Sequence, residues 1–424
     1  TEPLEFTKLV ARHQAEWLSE DTGAWTFTSP MYPYLRQPVA GAHEAPPAEP
    51  WNVVVFQLES FRSWNMGLMR PDLAHPPPTP FLDALGRSAE GAYWVRHSSF
   101  GPPTVNGFIA WNCSQLPHSG ELALATFTYT ELDCLPNTVR RHGYRTEVFT
   151  GFDPDWDNEA LWFRRWYDRL NYYHDATGDD QVLVRHTAER LKELGRSPNP
   201  FLASVIFISN HYPFASVGTG QDVAGHATAS ERILNTMHYS DTAVRQLVDA
   251  VRGEPWFDHT LFVFVGDHGY NLGERHSTPG QFNLYRESTW VPLIVVGRHP
   301  RLKSGPHVEP ASLLDVAPTI ADLLGIRDPT PWQGHSLVAP SRPPSTVTFV
   351  RQGVTFGETA DYSLVVDPDT ELPRMFDAKG DVLQTHAIES QAAAEAAGKL
   401  LSEAEDQRRL NDYLIRSNRI MPAR

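Results

Sequence analysis

Four stretches of this chain carry side chains able to hold a metal ion or to attack phosphorus. Asn-Val-Val-Val-Phe-Gln-Leu (52–58) leads into Glu59-Ser60, and a run from Phe201 ends on Ser209-Asn210-His211. Thr260–Val265 leads into Gly266-Asp267-His268-Gly269, and Ser99-Phe-Gly-Pro-Pro opens onto Thr104-Val-Asn106-Gly. Glu59, Asp267 and His268 together offer two carboxylates and an imidazole. Carboxylates packed at one edge repel, and a divalent cation is the direct way to neutralise them. Oxygen donors with one nitrogen suit one Mn²⁺, with Mg²⁺ or Zn²⁺ as the other candidates. Singly, each residue has a duller explanation: Glu59 paired with Arg62, or Asp267 capping the next turn.

Thr104 follows a rigid Gly-Pro-Pro loop and precedes the apolar Phe108-Ile-Ala-Trp stretch, which reads as a buried helix starting near Thr104. A hydroxyl there lies at the positive end of the helix dipole, which favours an alkoxide and an anionic substrate. A bound metal would lower its pKa further and make it a usable nucleophile near neutral pH. The plain alternative is an N-cap. Asn106 is a candidate donor to a non-bridging phosphate oxygen. His276, in Gly273-Glu-Arg-His276, is a candidate for leaving-group protonation or phosphate contact.

The elements that must position these residues alternate. Residues 52–58, Phe201–Ser209, Thr260–Val265 and Val291–Val296 are short β-branched or apolar runs, the pattern of strands buried on both faces. Helix-length amphipathic segments lie between or after them, at Asp180–Leu194, Ser230–Val251 and Ser312–Leu324. The expected fold is therefore α/β, with a mostly parallel central sheet sandwiched by helices. In such a sheet the carboxyl ends of the strands share one edge, where ligands bind, so residues distant in sequence meet there.

Three regions are expected. Residues 1–50 carry an amphipathic segment, Leu4–Leu18, and a Pro-rich linker, Gly41–Pro50. Residues 51–343 form the catalytic domain. Residues 344–424 form a small C-terminal antiparallel sheet plus helix, with strands at Thr346–Val350, Tyr362–Asp367 and Arg374–Asp377, a Lys379-Gly380 turn, and a helix from about His386 to Ser417.

The 424 residues carry a net charge of −15, which argues against a nucleic-acid partner or an anionic-membrane surface. An acidic protein still binds an anionic substrate through a divalent cation. No apolar run approaches the roughly 20 residues needed to cross a bilayer. The chain begins at Thr1, so a removed signal peptide or N-terminal anchor stays open. Its two cysteines, Cys113 and Cys134, are either one local disulfide in an oxidising compartment or two buried thiols.

Taken in order, Asn52 to Phe61, Ser209-Asn-His211-Tyr-Pro-Phe, Gly266-Asp267-His268-Gly269, Tyr285-Arg-Glu-Ser-Thr-Trp-Val-Pro-Leu-Ile and Asp315-Val-Ala-Pro-Thr-Ile resemble one branch of a known superfamily. It is the lipoteichoic acid synthase and phosphoglycerol transferase branch of the sulfatases and alkaline phosphatases. The resemblance covers about residues 50–340 and implies an alkaline-phosphatase-like fold. It implies that Glu59, Thr104, Asp267 and His268 bind one Mn²⁺-like ion, that Thr104 forms a phospho-threonine, and that His211 contacts phosphate or leaving group. Trp156 keeps its place in the family's substrate-binding segment, whereas Thr150 and Asn158 stand where a His and an Arg are expected. Arg164 and Arg165 are candidate substitutes for the lost cation.

The expected activity is that of a metal-dependent phosphoglycerol transferase or phosphodiesterase acting outside the cytoplasm on a phosphodiester of a glycan or lipid. The alternatives are a sulfatase or phosphonate hydrolase of the same superfamily, which Thr104-Val-Asn-Gly weakens because sulfatases carry a C/S-x-P-x-R signature, and an inactive glycan-binding module.

Overall fold

The computed structural model describes residues 3–19, 23–42, 45–73, 75–215, 220–339 and 347–422. Its centre is an eight-stranded sheet, in the order Gly305–His307, Gly91–Trp94, Leu293–Val296, Thr260–Gly266, Asn52–Leu58, Phe201–Ile206, Arg145–Thr150 and Arg169–Tyr172. Seven strands run one way; Leu293–Val296 pairs antiparallel with both neighbours. The expectation of a mostly parallel sheet therefore holds, but the 291–296 run enters it reversed, so its beginning lies where the other strands end.

Alternation along each strand splits the interior into two cores. Val53, Val55, Leu261, Val263 and Val265 point into one, with Phe108 and Trp111. Val54, Phe56, Phe262 and Phe264 point into the other, against Leu183 and Leu191 of the Asp180–Leu194 helix and Val244 and Leu247 of the Ala229–Val251 helix. Both sides of every central residue are buried, which is why these strands read as unbroken apolar runs. The helix starts are fixed by ordinary capping: Asp179 accepts from the amides of Gln181 and Val182, and Thr228 and Glu231 form a capping box.

Four strands of this sheet, Gly91–Trp94, Arg145–Thr150, Arg169–Tyr172 and Gly305–His307, were not expected from the sequence. The segment expected as a helix from Ser312 is a turn at Leu313–Asp315 followed by the Val316–Leu323 helix. Toward the C-terminus, a four-stranded antiparallel sheet forms from Val347–Arg351, Val354–Glu358, Tyr362–Val366 and Pro373–Asp377. Val354–Glu358 is the strand that the sequence reading missed. The Gln391–Arg416 helix follows, and its Leu410, Leu414 and Ile415 join the first core with Phe349 and Phe356 of the small sheet. Thr346, His43, Glu44 and the expected 343/344 boundary lie outside the described residues.

Cys113 and Cys134 are joined as a disulfide, which decides between the two readings of the sequence. The bond ties the end of the Thr104–Cys113 helix to the start of the Leu135–Arg141 helix. The two cysteines are 21 residues apart, and closing a loop of that size is worth about 3 kcal/mol through the unfolded chain. Cys134→Ser should therefore lower the urea midpoint of the oxidised protein and abolish its dependence on reductant; an unchanged midpoint would contradict the bond.

Candidate active site

The site is built where the first and third apolar strands end side by side. Their parallel register pairs Leu58 with Gly266, so the next residues, Glu59 and Asp267, leave the sheet together. One ligand atom from each of Glu59, Asp267 and His268 lies within 4.8 Å of the others, and all three residues are buried. The Nε2 of His268 is 3.6 Å from Glu59 Oε1 and 3.8 Å from Asp267 Oδ2.

The hydroxyl of Thr104 completes the cluster. It donates to Glu59 Oε2 at 2.9 Å and lies 3.5 Å from His268 Nε2. Thr104 is the first residue of its helix, after Pro103 at the N-cap, and its side chain is turned to the acids rather than to the helix amides. The N-cap alternative fails on that point. So does the pairing of Glu59 with Arg62, because Arg62 is bonded to Glu274 instead.

Each member is oriented by a neighbour. Asp267 Oδ1 accepts from the amides of Ser60 (2.9 Å) and His268 (2.7 Å), leaving Oδ2 buried without a hydrogen-bond partner. His268 Nδ1 lies 2.7 Å from the carbonyl of Gly269; donating there, it presents an unprotonated Nε2 to the cluster. Asn210 donates to the carbonyls of Glu59 (2.9 Å) and Ser60 (3.1 Å) and accepts from Thr236 at 2.5 Å. Gly107 lets the Thr104–Cys113 helix press onto this strand end: a Cβ there would meet the carbonyl oxygen of Asp267 at 2.5 Å. Trp111, one turn further on, anchors the helix by donating to Gln57 at 2.7 Å.

Burial, reinforced by the charge of Glu59, pushes the Asp267 carboxyl well above the usual carboxylate range. Burial also lowers the His268 imidazole, against the pull of Glu59. Two acids that repel, a neutral imidazole and an orphaned carboxylate oxygen form a donor set that fits a divalent cation. The cation would replace the proton that Asp267 otherwise keeps.

The other sequence candidates fall at different places. His211 is exposed, and its Nδ1 lies 2.7 Å from the carbonyl of Tyr212. Asn106 is fully buried as the third residue of the Thr104–Cys113 helix, with both amide atoms unpaired. Trp156 is 75% exposed, and Asn158 beside it is exposed in a left-handed conformation. Thr150 is turned into its own loop, its hydroxyl 3.2 Å from the amide of Phe152. Arg164 is exposed, and Arg165 donates to the carbonyl of Thr128 and lies over the Trp162 ring. Packing of its own helix thus accounts for Arg165. His276 is exposed in the Glu274–His276 turn, with no bond to the cluster.

Sequence reasoning missed Asn210 and Glu159. Asn210 was legible only as the middle of Ser-Asn-His. Glu159 opens the Glu159–Trp166 helix, is buried, and has its carboxyl pushed up to about 8 by burial and by the charges of Asp157 and Glu59. A lone acid on an otherwise apolar helix face was its signal.

The sulfatase family model matches residues 51–326, and the chain belongs to the sulfatase family. A lipoteichoic acid synthase-like protein of Bacillus subtilis, YvgJ, is 24% identical over 357 residues, which are 76% of this chain and 57% of that relative. The chain spans about half the length of the curated relatives it matches. The lipoteichoic acid synthase LtaP from Listeria monocytogenes shares the fold at a TM-score of 0.71 and 17% identity, over 99% of each chain. A protein of the alkaline phosphatase superfamily from Vibrio parahaemolyticus does so at 0.78 and 18%, over 100% of this chain and 98% of the other. The resemblance read from the motifs and the alkaline-phosphatase-like fold it implied are both borne out.

The raised Asp267 carboxyl sets a stability trend. Its proton is held more tightly in the folded state than in the unfolded chain, so the associated stability is present at low pH. It is lost as pH rises through the ordinary carboxylate range toward the folded value. Asp267→Asn should therefore raise the melting temperature of the metal-free protein at pH 8 and flatten its pH dependence. The same variant should lose the melting-temperature increase that Mn²⁺ gives the wild type. Calorimetry with and without Mn²⁺ checks both; a variant less stable than the metal-free wild type at pH 8 would contradict the repulsion argument.

Proposed function

We propose that this protein is a metal-dependent enzyme that cleaves a phosphodiester through a covalent intermediate on Thr104, as a phosphoglycerol transferase or phosphodiesterase. The observation that carries this reading is the Thr104 hydroxyl, which hydrogen-bonds Glu59 beside His268 and the unpaired oxygen of Asp267. Glu59, Thr104, Asp267 and His268 would hold one divalent ion, Mn²⁺ by the mixture of oxygen and nitrogen donors. Bound there, the ion would lower the pKa of the Thr104 hydroxyl and draw charge from the attacked phosphate.

The chain's own residues supply the rest. The Thr104 proton leaves along its hydrogen bond to Glu59 as Oγ1 forms its bond to phosphorus. The bond from phosphorus to the departing alcohol breaks, and that oxygen takes a proton from His211 in its imidazolium form. An acceptor hydroxyl or water then gives up a proton to His211 and attacks phosphorus, the bond from phosphorus to Thr104 Oγ1 breaks, and that oxygen takes back the proton held by Glu59. Asn106, buried with an unpaired amide, would donate to a non-bridging oxygen, where charge grows in the transition state. Trp156 and Asn158 would contact the substrate at the exposed rim, and His276 would act from the neighbouring turn.

This reading puts the chemistry in residues 51–343, with 344–424 as a supporting subdomain and 1–50 as an N-terminal helix and linker. The substrate would be a phosphodiester-bearing glycan or lipid met outside the cytoplasm. The disulfide supports an oxidising compartment. Among the described residues no helix is long and apolar enough to cross a membrane.

Thr104→Ala should lower diester turnover by at least roughly a thousandfold while keeping part of the Mn²⁺ affinity, because three ligands remain. Quenched wild-type enzyme should carry a phosphoryl adduct on Thr104 by peptide mass spectrometry. Near-normal turnover in the variant would refute the nucleophile.

A further inference from the structure

His211 gives and takes protons in the chemistry above, yet it sits in the turn after the Phe201–Ile206 strand rather than at the strand end. Two tethers hold that turn. On one side Asn210 donates to the carbonyls of Glu59 and Ser60. On the other side the ring of Tyr212 lies on the ring of Tyr270, with centroids 5.4 Å apart and planes 10° from parallel. Tyr270 follows His268 and Gly269 directly. His211 is thus strung between the two segments that carry Glu59 and Asp267.

Phe214 completes the aromatic group. It is fully buried and edge-on to Tyr212 at 5.8 Å and to Tyr270 at 5.3 Å. Its backbone is left-handed, with φ of 60°, a conformation that a bulky residue keeps only where its surroundings hold it. The amide of Phe214 donates to the carbonyl of His211 at 2.8 Å, so the strained residue closes the same turn. Tyr270 is itself fixed. Its amide donates to the carbonyl of Glu287 at 2.9 Å, and Gly280 makes room for its hydroxyl, which a Cβ there would meet at 2.8 Å. Tyr212 is 48% exposed, so burial alone does little to order it, and ring stacking adds the attraction that does.

The imidazole follows Tyr212. Nδ1 of His211 lies 2.7 Å from the Tyr212 carbonyl; donating there, it leaves Nε2 to exchange protons with the substrate. Moving Tyr212 therefore moves the acceptor that sets the ring. A displacement of about 1 Å is enough to slow such a step up to about a hundredfold.

We propose that Tyr270 is a positioning residue for His211: through the Tyr212 ring it holds the imidazole where it protonates the departing alcohol and later takes the acceptor's proton. The proposal rests on the phosphodiester reading of the same site. The bonds made and broken are those already described, and Tyr270 exchanges no proton.

Two diesters separate this role from general damage, because an alkoxide needs a proton to leave phosphorus and a nitrophenolate does not. With diglycerol phosphate, Tyr270→Ala should lower kcat/KM of the Mn²⁺-loaded chain at least about tenfold. With bis(4-nitrophenyl) phosphate, kcat/KM should stay close to wild type. There kcat and KM should fall together, after a stoichiometric burst of nitrophenolate, because release of Thr104 still needs His211. Tyr270→Phe keeps the ring and should keep both activities. In a His211→Ala background, Tyr270→Ala should add little further loss. Equal losses on both diesters, losses that add in full to those of His211→Ala, or bound Mn²⁺ missing from the variant would overturn the proposal and leave the phosphodiester reading standing. So would near-normal use of diglycerol phosphate by Tyr270→Ala. Tyr212→Ala, at a half-exposed position, removes the same stack and is held to the same outcomes if Tyr270→Ala impairs folding. If the wild type uses only the nitrophenyl diester, the burst decides, and its absence in the variant overturns the proposal. Turnover of neither diester by the wild type would sink the phosphodiester reading, and this proposal with it.

Discussion

Two carboxylates that cannot comfortably share a dry space are the constraint on which this structure turns. Glu59 and Asp267 are 1% and 0% exposed, and the parallel register of their strands brings them out of the sheet side by side. A proton on Asp267 or a cation between them relieves the repulsion. The surroundings favour the cation: Asp267 Oδ2 has no donor, His268 is set by Gly269 to offer a bare nitrogen, and Thr104 adds an oxygen from a third segment. Remove the pressure between the acids and none of these arrangements has a reason.

The scaffold transmits this geometry over some distance. Gly269 and Tyr270, just after His268, are hydrogen-bonded through their amides to the carbonyls of Ser288 and Glu287. The adjacent Arg286 is buried and donates to Glu358 of the small C-terminal sheet, and Arg96 from the main sheet donates to the same carboxylate. One buried acid thus pairs with two guanidiniums and fixes the small sheet against the segment that backs His268. Buried pairs of this kind are costly to break on one side only, so the C-terminal region is tied to the site through charge as well as through its apolar face.

How much of this was legible in the sequence depended on whether the signal was local. Glu59, Asp267, His268 and Thr104 could be grouped because each follows a recognisable strand or loop, and the common edge of a parallel sheet does the rest. Gly91–Trp94 and Gly305–His307 escaped notice because strands of three or four residues carry too little periodicity to separate from loop. Val354–Glu358 contains a glycine, a threonine and a glutamate and lacks the apolar density of its neighbours. The reversed direction of Leu293–Val296 is invisible in a buried run, since burial on both faces erases the alternation. For Arg164 and Arg165 the sequence left the surroundings open, because charge alone does not say which face of a helix a side chain takes. Glu159 was overlooked for the opposite reason: its environment, not its neighbours in sequence, makes it unusual.

Anomalous diffraction from crystals grown with Mn²⁺ tests the central claim most directly. The account predicts one strong peak within about 2.3 Å of a carboxylate oxygen of Glu59 and of Asp267, His268 Nε2 and Thr104 Oγ1. No peak between these four side chains, or an ion held by other residues instead, would contradict it.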